Sequence, residues 1–255
     1  MNVKMDENLK IKNFGIIGFP LLHTFSPSYF TDKFAKENIE AVYRAYALEN
    51  IDSFYKLTKK IPFAGINVTI PYKERIIPYL DELDPVAAEI GAVNTIKFAN
   101  GKTIGYNTDA FGFEVSLMEL IDHPVNIHGA LVLGSGGASL AVCYTLKKLQ
   151  IPYRIVSRTS KANLRYENID QSILKTVNLV VNTTPLGMYP NINGKPDIPY
   201  QGLNENYFLY DLVYNPEKTI FLSEGFNRGC KIKNGLDMLF LQAERSWQIW
   251  NQPEM

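Results

Sequence analysis

Apolar runs of strand length alternate with amphipathic stretches of helical length, and they do so in two successive series along the chain. The first series opens with Phe14–Phe19, an apolar run that reads as a strand. In the loop that follows, Ser26 before Pro27 fits a helix N-cap with proline at the first helical position, and the helix should run to about Asn38. Ala41–Leu48 reads as a second strand, and Asn50–Lys60 as a helix with Ile51, Phe54, Tyr55 and Leu57 on its apolar side. Gly65–Ile70 is a third strand, with Ile66, Val68 and Ile70 alternating against Asn67 and Thr69. This β-α-β-α-β order predicts a largely parallel sheet with right-handed crossovers. Arg75–Leu80 and Pro85–Ile90 read as two short helices. Ala92–Phe98 and Lys102–Tyr106 are β-rich and flank Asn100-Gly101, a strong hairpin signal. The hairpin delivers Gly105–Asp109, where Thr108 or Asp109 can cap a helix carrying Phe113, Leu117 and Leu120.

A second series begins with Ala130–Leu133, a buried strand, and a glycine-rich turn leads into a helix over Ala138–Leu149. Strands follow at Tyr153–Val156, Asn178–Val181 and Tyr207–Leu212, then a helix over Lys218–Asn227 and a short strand around Ile232. The chain closes on an amphipathic helix over Gly235–Trp250, with Leu236, Leu239, Phe240, Ala243 and Trp247 on one side. The expected fold class is therefore α/β in two domains: an N-terminal, mostly parallel sheet domain and a Rossmann-like dinucleotide-binding domain.

The length of 255 residues suits that division, and 46% hydrophobic with 20% charged residues is an ordinary globular composition. Lysine plus arginine and aspartate plus glutamate both number 26, so no global field recruits nucleic acid or an anionic membrane. Cys143 and Cys230 are the only cysteines and lie far apart, and the three histidines form no ligand pattern, so no metal site is expected. The first residues lack the apolar core of a signal peptide, and no apolar run is long enough to span a bilayer. The default expectation is a cytoplasmic, metal-free protein.

Three stretches carry candidate chemistry. Pro71 ends the third strand of the first series because it cannot donate to a ladder, which leaves Lys73 just past the carboxyl end, where open α/β sheets bind ligands. Asn67 and Thr69 are polar positions on an inner strand and need partners that a polar substrate would supply; Lys73 could then move a proton. A surface lysine after a strand would look the same on this stretch alone. Gly134-Ser135-Gly136-Gly137-Ala138-Ser139 follows a strand and opens a helix, the context in which backbone N–H groups and a helix N-terminus hold a pyrophosphate. At the end of the next strand, Ser157, Arg158, Thr159, Ser160 and Lys161 include no Asp or Glu to read a free ribose hydroxyl. Arg158, Lys161 and the hydroxyls suit a 2′-phosphate instead, which favours NADP over NAD; a solvated basic turn is the plainer alternative.

The chain resembles shikimate dehydrogenase along nearly its whole length. The stretches that carry the resemblance are GIIGFPLLHTFSPSYF, GINVTIPYK, GAVNT, GYNTDAFGF, GSGGAS, SRT, NTTPLGM, DLVYNP and GLDMLFLQAERSW, in that order. The resemblance implies reversible, NADP-linked reduction of 3-dehydroshikimate to shikimate in a cleft between a substrate-binding domain, 1–108 with 236–255, and a dinucleotide-binding domain, 109–235. It makes Lys73 the catalytic acid/base and Asp109 its partner. Thr24 and Ser26 resemble the hydroxyls that hold the substrate carboxylate, and Asn67, Thr69, Asn94, Tyr214 and Gln242 further substrate contacts. Cofactor contacts are implied at Gly134, Ser135, Gly136, Gly137, Ala138, Ser157, Arg158, Thr159, Lys161 and Thr183, with Leu212 and Gly235 near the nicotinamide. The chain departs from the family pattern in Thr24, where serine is usual, in Ser157, where asparagine is usual, and in placing Lys161 one position ahead of the family's basic residue, at which Ala162 stands. The expected partner is a small-molecule substrate, with no nucleic acid and no membrane, on a monomer or homodimer. A shikimate/quinate dehydrogenase with broader substrate or NAD use, a dinucleotide-binding sensor without turnover, and a folate-linked dehydrogenase are the alternatives.

Overall fold

Each β-α series folds into its own sheet. The computed structural model describes residues 11–21, 24–159 and 162–253, so His23 and Lys161 lie outside the described residues. The chain divides into two units, Met1–Asn107 with Ser246–Met255 and Thr108–Arg245.

In the first unit, β1 (Lys12–Gly18), α1 (Phe25–Lys36), β2 (Ala41–Ala47), α2 (Ser53–Lys60) and β3 (Phe63–Val68) follow the expected order. They continue into β4 (Glu82–Leu83), α3 (Pro85–Ile90), β5 (Thr95–Ala99) and β6 (Lys102–Tyr106). The six-stranded sheet runs β2-β1-β3-β5-β6-β4. Strands β1, β2 and β3 are parallel, whereas β5 is antiparallel to both β3 and β6. The parallel half thus matches the expectation, and the hairpin supplies the mixed half. Its turn residues Asn100 and Gly101 have φ of 51° and 74°, the left-handed pair that a two-residue hairpin turn requires.

Four local readings need correction. Strand β3 stops at Val68, and Ile70 is 66% exposed rather than on an apolar face with Ile66 and Val68. Because β3 lies between β1 and β5 with both faces covered, Ile66, Asn67 and Val68 are all buried and the alternation does not separate core from solvent. The N-cap of α1 is Thr24, extended at φ −109° and ψ 132°, not Ser26, which is buried in the first turn. Pro27 is tolerated there because first-turn N–H groups have no helical partner. Of the stretch Arg75–Leu80 only Ile77–Tyr79 forms a helical turn, of the 3₁₀ type, since Pro78 lacks a donor and Leu80 turns extended.

The two faces of this sheet are packed differently. Ile17, Ile66, Val68 and Ile96 face a cluster with Phe54, Tyr72 and Ile76. The opposite face is aromatic: Phe14, Phe30, Phe34 and Tyr43 meet Trp247 and Trp250 from the C-terminal turns of the last helix. Trp250 donates its indole N–H to the Ile96 carbonyl at 2.9 Å.

The second unit holds α4 (Asp109–Ile121), β7 (Ala130–Leu133), α5 (Gly137–Lys148), β8 (Tyr153–Val156), α6 (Gln171–Leu174) and β9 (Leu179–Asn182). After these come β10 (Phe208–Asp211), α7 (Ile220–Phe226), β11 (Lys231–Lys233) and α8 (Leu236–Asn251), which passes into the first unit at Ser246. The sheet runs β11-β10-β9-β7-β8, and its pairings are all parallel. Counted within the unit this is the order 2-1-3-4-5 of a doubly wound fold, whose direction reverses between β7 and β9. Strand residues alternate between two cores. Val132 and Val181 join α4, α5 and Met238, while Leu131, Leu133, Val180 and Leu209 join Leu174, Phe221 and Leu222. This burial on both faces explains the continuous apolar runs that marked these strands in the sequence.

Candidate active site

In the first unit, the carboxyl ends of β1 and β3 lie side by side at the point where strand order reverses. The chain leaving β1 and the chain leaving β3 are tied together there: Thr69 N–H donates to the Ile17 carbonyl at 2.9 Å and Phe19 N–H to the Ile70 carbonyl at 3.0 Å. The β1 exit leads to Thr24 and Ser26 at the start of α1, and the β3 exit leads through Thr69 and Pro71 to Lys73. Antiparallel β5 brings Asn94 to the same end, since Val68 N–H donates to the Asn94 carbonyl at 2.8 Å. The Lys73 carbonyl accepts from Val93 N–H at 2.8 Å, so the lysine backbone is fixed beside Asn94. Lys73 and Thr69 are half-buried, while Ser26, Asn67 and Asn94 are buried. The structure therefore brings together Ser26, Asn67, Thr69, Lys73 and Asn94 at this end of the sheet, and Thr24 is the N-cap of α1, two residues before Ser26.

Behind this group lies a hydrogen-bonded network that local sequence pattern did not reveal. The Asn67 Oδ1 accepts from the Tyr43 hydroxyl at 2.7 Å, and its Nδ2 donates to the Asn94 carbonyl, Thr95 Oγ1 and Ser246 Oγ at 3.1 to 3.2 Å. Thr95 also bonds Ser246 Oγ at 2.7 Å and donates to Asn94 Oδ1 at 3.1 Å. Tyr43 is hydrogen-bonded to Ser26, and burial pushes its hydroxyl far above the ordinary tyrosine range, so it stays protonated. Ser26 and Asn94 are thus both held by partners that are themselves fixed, and Asn67 is the hub between them.

In the second unit the loops leaving β7 to β11 carry the cofactor candidates and Tyr214, while Asp109 starts α4 and Gln242 lies on α8. Gly134 has φ of 118°, and a β-carbon there would strike Thr183 Oγ1 across the β7–β9 switch point, so only glycine fits. Gly136 caps α5, and a β-carbon on it would meet nothing within 4 Å: the space in front of the helix N-terminus is open. That open space, flanked by first-turn N–H groups, fits a pyrophosphate. At the adjacent end of β8, Ser135 Oγ lies 2.8 Å from Ser157 Oγ and 3.0 Å from Thr159 Oγ1, so three hydroxyls cluster beside the exposed Arg158. No acidic side chain occupies this turn, and the donor set suits a phosphate rather than a free ribose hydroxyl.

Leu212 follows β10, and its N–H donates to the Asn182 carbonyl at 2.9 Å. Gly235 sits directly on it: a β-carbon at Gly235 would overlap the Leu212 carbonyl, and Gly235 N–H donates to the Val213 carbonyl at 3.2 Å. Tyr214, half-buried, stands on the same turn, and burial raises its hydroxyl pKa. Asp109 is the first helical residue of α4, behind the N-cap Thr108, and is 5% exposed. The helix N-terminus favours a carboxylate at that position. Gln242 is on α8, nearly buried, and donates Nε2–H to the Leu239 carbonyl at 2.8 Å. Among the described residues no cluster of His, Cys, Asp and Glu could hold a metal, and no helix is long and apolar enough to cross a membrane.

Residues 16–96 match the shikimate dehydrogenase substrate binding domain. The chain is 38% identical to the shikimate dehydrogenase (NADP(+)) of Methanococcus aeolicus over 260 residues, covering 95% of this chain and 93% of that one. It superposes with a TM-score of 0.83 on a shikimate dehydrogenase solved in complex with NADP+, at 35% identity, covering 97% of this chain and 92% of that one. The shikimate 5-dehydrogenase of Thermus thermophilus, solved with NADP(H) and shikimate, superposes with a TM-score of 0.82 at 32% identity, covering 94% of this chain and 93% of that one.

Proposed function

This chain belongs to the shikimate dehydrogenase family, and on that premise we propose how its own residues divide the work. The protein is an NADP-dependent oxidoreductase that interconverts 3-dehydroshikimate and shikimate in the shikimate pathway of aromatic amino acid biosynthesis. The single observation that carries the residue assignment is the convergence of Ser26, Thr69, Lys73 and Asn94 on the carboxyl ends of β1 and β3.

NADP, when bound, supplies or accepts the hydride at the ring carbon. The protein must then orient the ring and handle one proton at the reacting oxygen. Lys73 is assigned to that proton: in the reducing direction its ammonium gives the proton to the developing alkoxide, and in the oxidising direction the amine takes it back. Asp109 is assigned to the same proton-handling pair, accepting from the hydroxyl or the amine. The hydroxyls of Thr24 and Ser26 are assigned to the substrate carboxylate, and Ser26 stands next to Tyr43, to which it is hydrogen-bonded. Thr69, Asn94, Tyr214 and Gln242 are assigned to the ring hydroxyls, and Asn67 holds Asn94 from behind. The Gly134–Ala138 turn takes the pyrophosphate, Ser157, Arg158 and Thr159 the 2′-phosphate, and Thr183, Leu212 and Gly235 the nicotinamide end. Lys161 is assigned to the 2′-phosphate as well and lies outside the described residues.

The substrate-binding domain is taken as 1–108 with 236–255 and the dinucleotide-binding domain as 109–235; the packing of Trp247 and Trp250 on Phe14 supports the return of the last turns of α8, while Met238 packs in the second unit's core. We place the protein in the cytoplasm, as a monomer or homodimer, which sedimentation velocity distinguishes. The deciding experiment is a steady-state assay pairing shikimate and quinate with NADP+ and NAD+. The highest kcat/KM is expected for shikimate with NADP+. Equal values with quinate or NAD+ would reassign the chain to the broader shikimate/quinate class, and no turnover with any pair would leave a dinucleotide-binding sensor.

A further inference from the structure

Asp211, at the carboxyl end of β10, is a fully buried carboxylate to which the proposed reaction assigns no role. Its Oδ1 accepts from Asn182 Nδ2 at 2.9 Å and from Val213 N–H at 3.0 Å, and its Oδ2 accepts from Thr219 Oγ1 at 2.6 Å. Each of these three partners is fixed as a donor. The Asn182 amide cannot flip, because its Oδ1 accepts from Thr184 N–H at 3.1 Å and Thr184 Oγ1 at 2.6 Å. Thr219 Oγ1 already accepts from Leu222 N–H as the N-cap of α7, so its own proton points at Asp211. The three donors favour an ionised acceptor and lower the carboxyl pKa, but burial outweighs them and leaves the Asp211 carboxyl raised to about 6. A fold needing only to fill this position would be served by a neutral side chain, so the carboxylate calls for a functional account.

Its contacts supply one. Through Val213 it forms the turn that carries Leu212 and Tyr214, and the Val213 carbonyl in turn receives Gly235 N–H. Through Asn182 it holds Thr184, next to Thr183. Asn182 and Asp211 end neighbouring strands, and Leu212 N–H bonds the Asn182 carbonyl, so the two loops share one anchor. We propose that Asp211 is a positioning residue of the nicotinamide end of the site: it locks the turn 212–214 against the loop 183–184 and thereby sets Thr183, Leu212, Tyr214 and Gly235 in register. This inference rests on the assignment of those four residues to cofactor and substrate made above.

The test compares wild type with Asp211→Asn, Thr219→Val and, as a control of similar burial on the same strand, Tyr210→Phe, which removes the hydroxyl bonded to Ser116 at 2.8 Å. Two measurements are made on each: amide hydrogen exchange over residues 182–188 and 211–219, and NADP+ affinity together with kcat for shikimate oxidation. Asp211→Asn is expected to speed exchange in both segments by roughly tenfold and to lower kcat by about tenfold or more, with NADP+ affinity within about threefold because the pyrophosphate and 2′-phosphate ends are untouched. Thr219→Val should move the same readouts in the same direction by less, and it carries the test if Asp211→Asn does not fold. Tyr210→Phe should leave both near wild type. Unchanged exchange in the Asp211 variant, a kcat unchanged despite faster exchange, or an equal loss in Tyr210→Phe would each overturn the proposal. If the wild-type protein oxidises neither shikimate nor quinate, the functional assignment fails instead, and the exchange comparison still decides whether Asp211 locks the two loops.

Discussion

The place of Lys73 beyond a strand was legible from a β-rich run and a proline two positions before the lysine, although the strand itself stops at Val68. What that pattern could not reveal is what surrounds the lysine, because the residues beside it arrive from β1 and β5. Lys73→Ala is expected to leave the fold and NADP+ affinity intact and to lower kcat by on the order of 10²-fold or more, read in single-turnover and steady-state assays. A kcat within a few-fold of wild type would remove the amine from proton transfer. Asn67 shows the opposite limit of sequence reading. It was picked out as a polar residue on an inner strand and therefore as a candidate substrate contact, yet its side chain is spent on Tyr43, Asn94, Thr95 and Ser246, from 24 to 179 residues away. Asn67→Ala would strand several of these buried groups at once and should cost on the order of 3 kcal/mol of stability, measured by urea unfolding. A rise in the KM for shikimate with stability untouched would instead make Asn67 a direct contact.

At the scale of elements, apolar runs and periods together with cap and glycine-turn signals located every long helix and inner strand, and the Asn100-Gly101 pair located the hairpin. The failures are short elements. Glu82–Leu83 is too brief to show any alternation, and it becomes a strand only because β6 offers a free edge for it. Gln171–Leu174 is one turn of helix fixed by its cap, in which Asp170 accepts from Ile173 N–H at 2.9 Å. The last helix was legible as amphipathic, but a periodic pattern names an apolar face without naming what covers it. The structure answers with Trp250: its ring lies against Gly65, where a β-carbon would collide with it, and it meets Phe14, Phe30 and Tyr43. The glycine in GINVTIPYK is thus a packing requirement of the C-terminal helix as well as part of a strand. Trp250→Ala should cost about 3–5 kcal/mol, through lost aromatic contact and the orphaned Ile96 carbonyl, and show as a lower denaturation midpoint. A loss below about 1 kcal/mol would mean that the last turns of α8 contribute little to holding the first unit's sheet.

For the whole molecule, the two β-α series in the sequence correspond to two sheets, and the zero formal net charge leaves stability to local electrostatics rather than to a global field. Those local effects pull in two directions with pH. Asp81, Asp170 and Glu224 accept hydrogen bonds from Thr103, from Ser172 and Ile173, and from Lys195 and Arg228 respectively, which holds each below the ordinary carboxylate range. Their contribution is present above the unfolded carboxylate pKa and is lost as pH falls through the folded values. Asp211 acts the other way. Burial, partly offset by Thr219, Val213 and Asn182, raises its pKa from 3.8 to about 6. The native state therefore binds a proton more readily than the unfolded chain between those values, and stability attributable to Asp211 is full below about pH 4 and is lost as pH rises through about 6. A shift of about two units corresponds to roughly 3 kcal/mol. Asp211→Asn has no proton to release, so its stability relative to wild type should rise by roughly that amount between about pH 4 and about pH 7.5, whatever the absolute cost of the substitution. Urea titrations of both proteins at the two pH values measure the difference directly. A relative stability independent of pH would mean that Asp211 ionises in the folded protein as it does in the unfolded chain, and that its three donors fully offset the cost of burial.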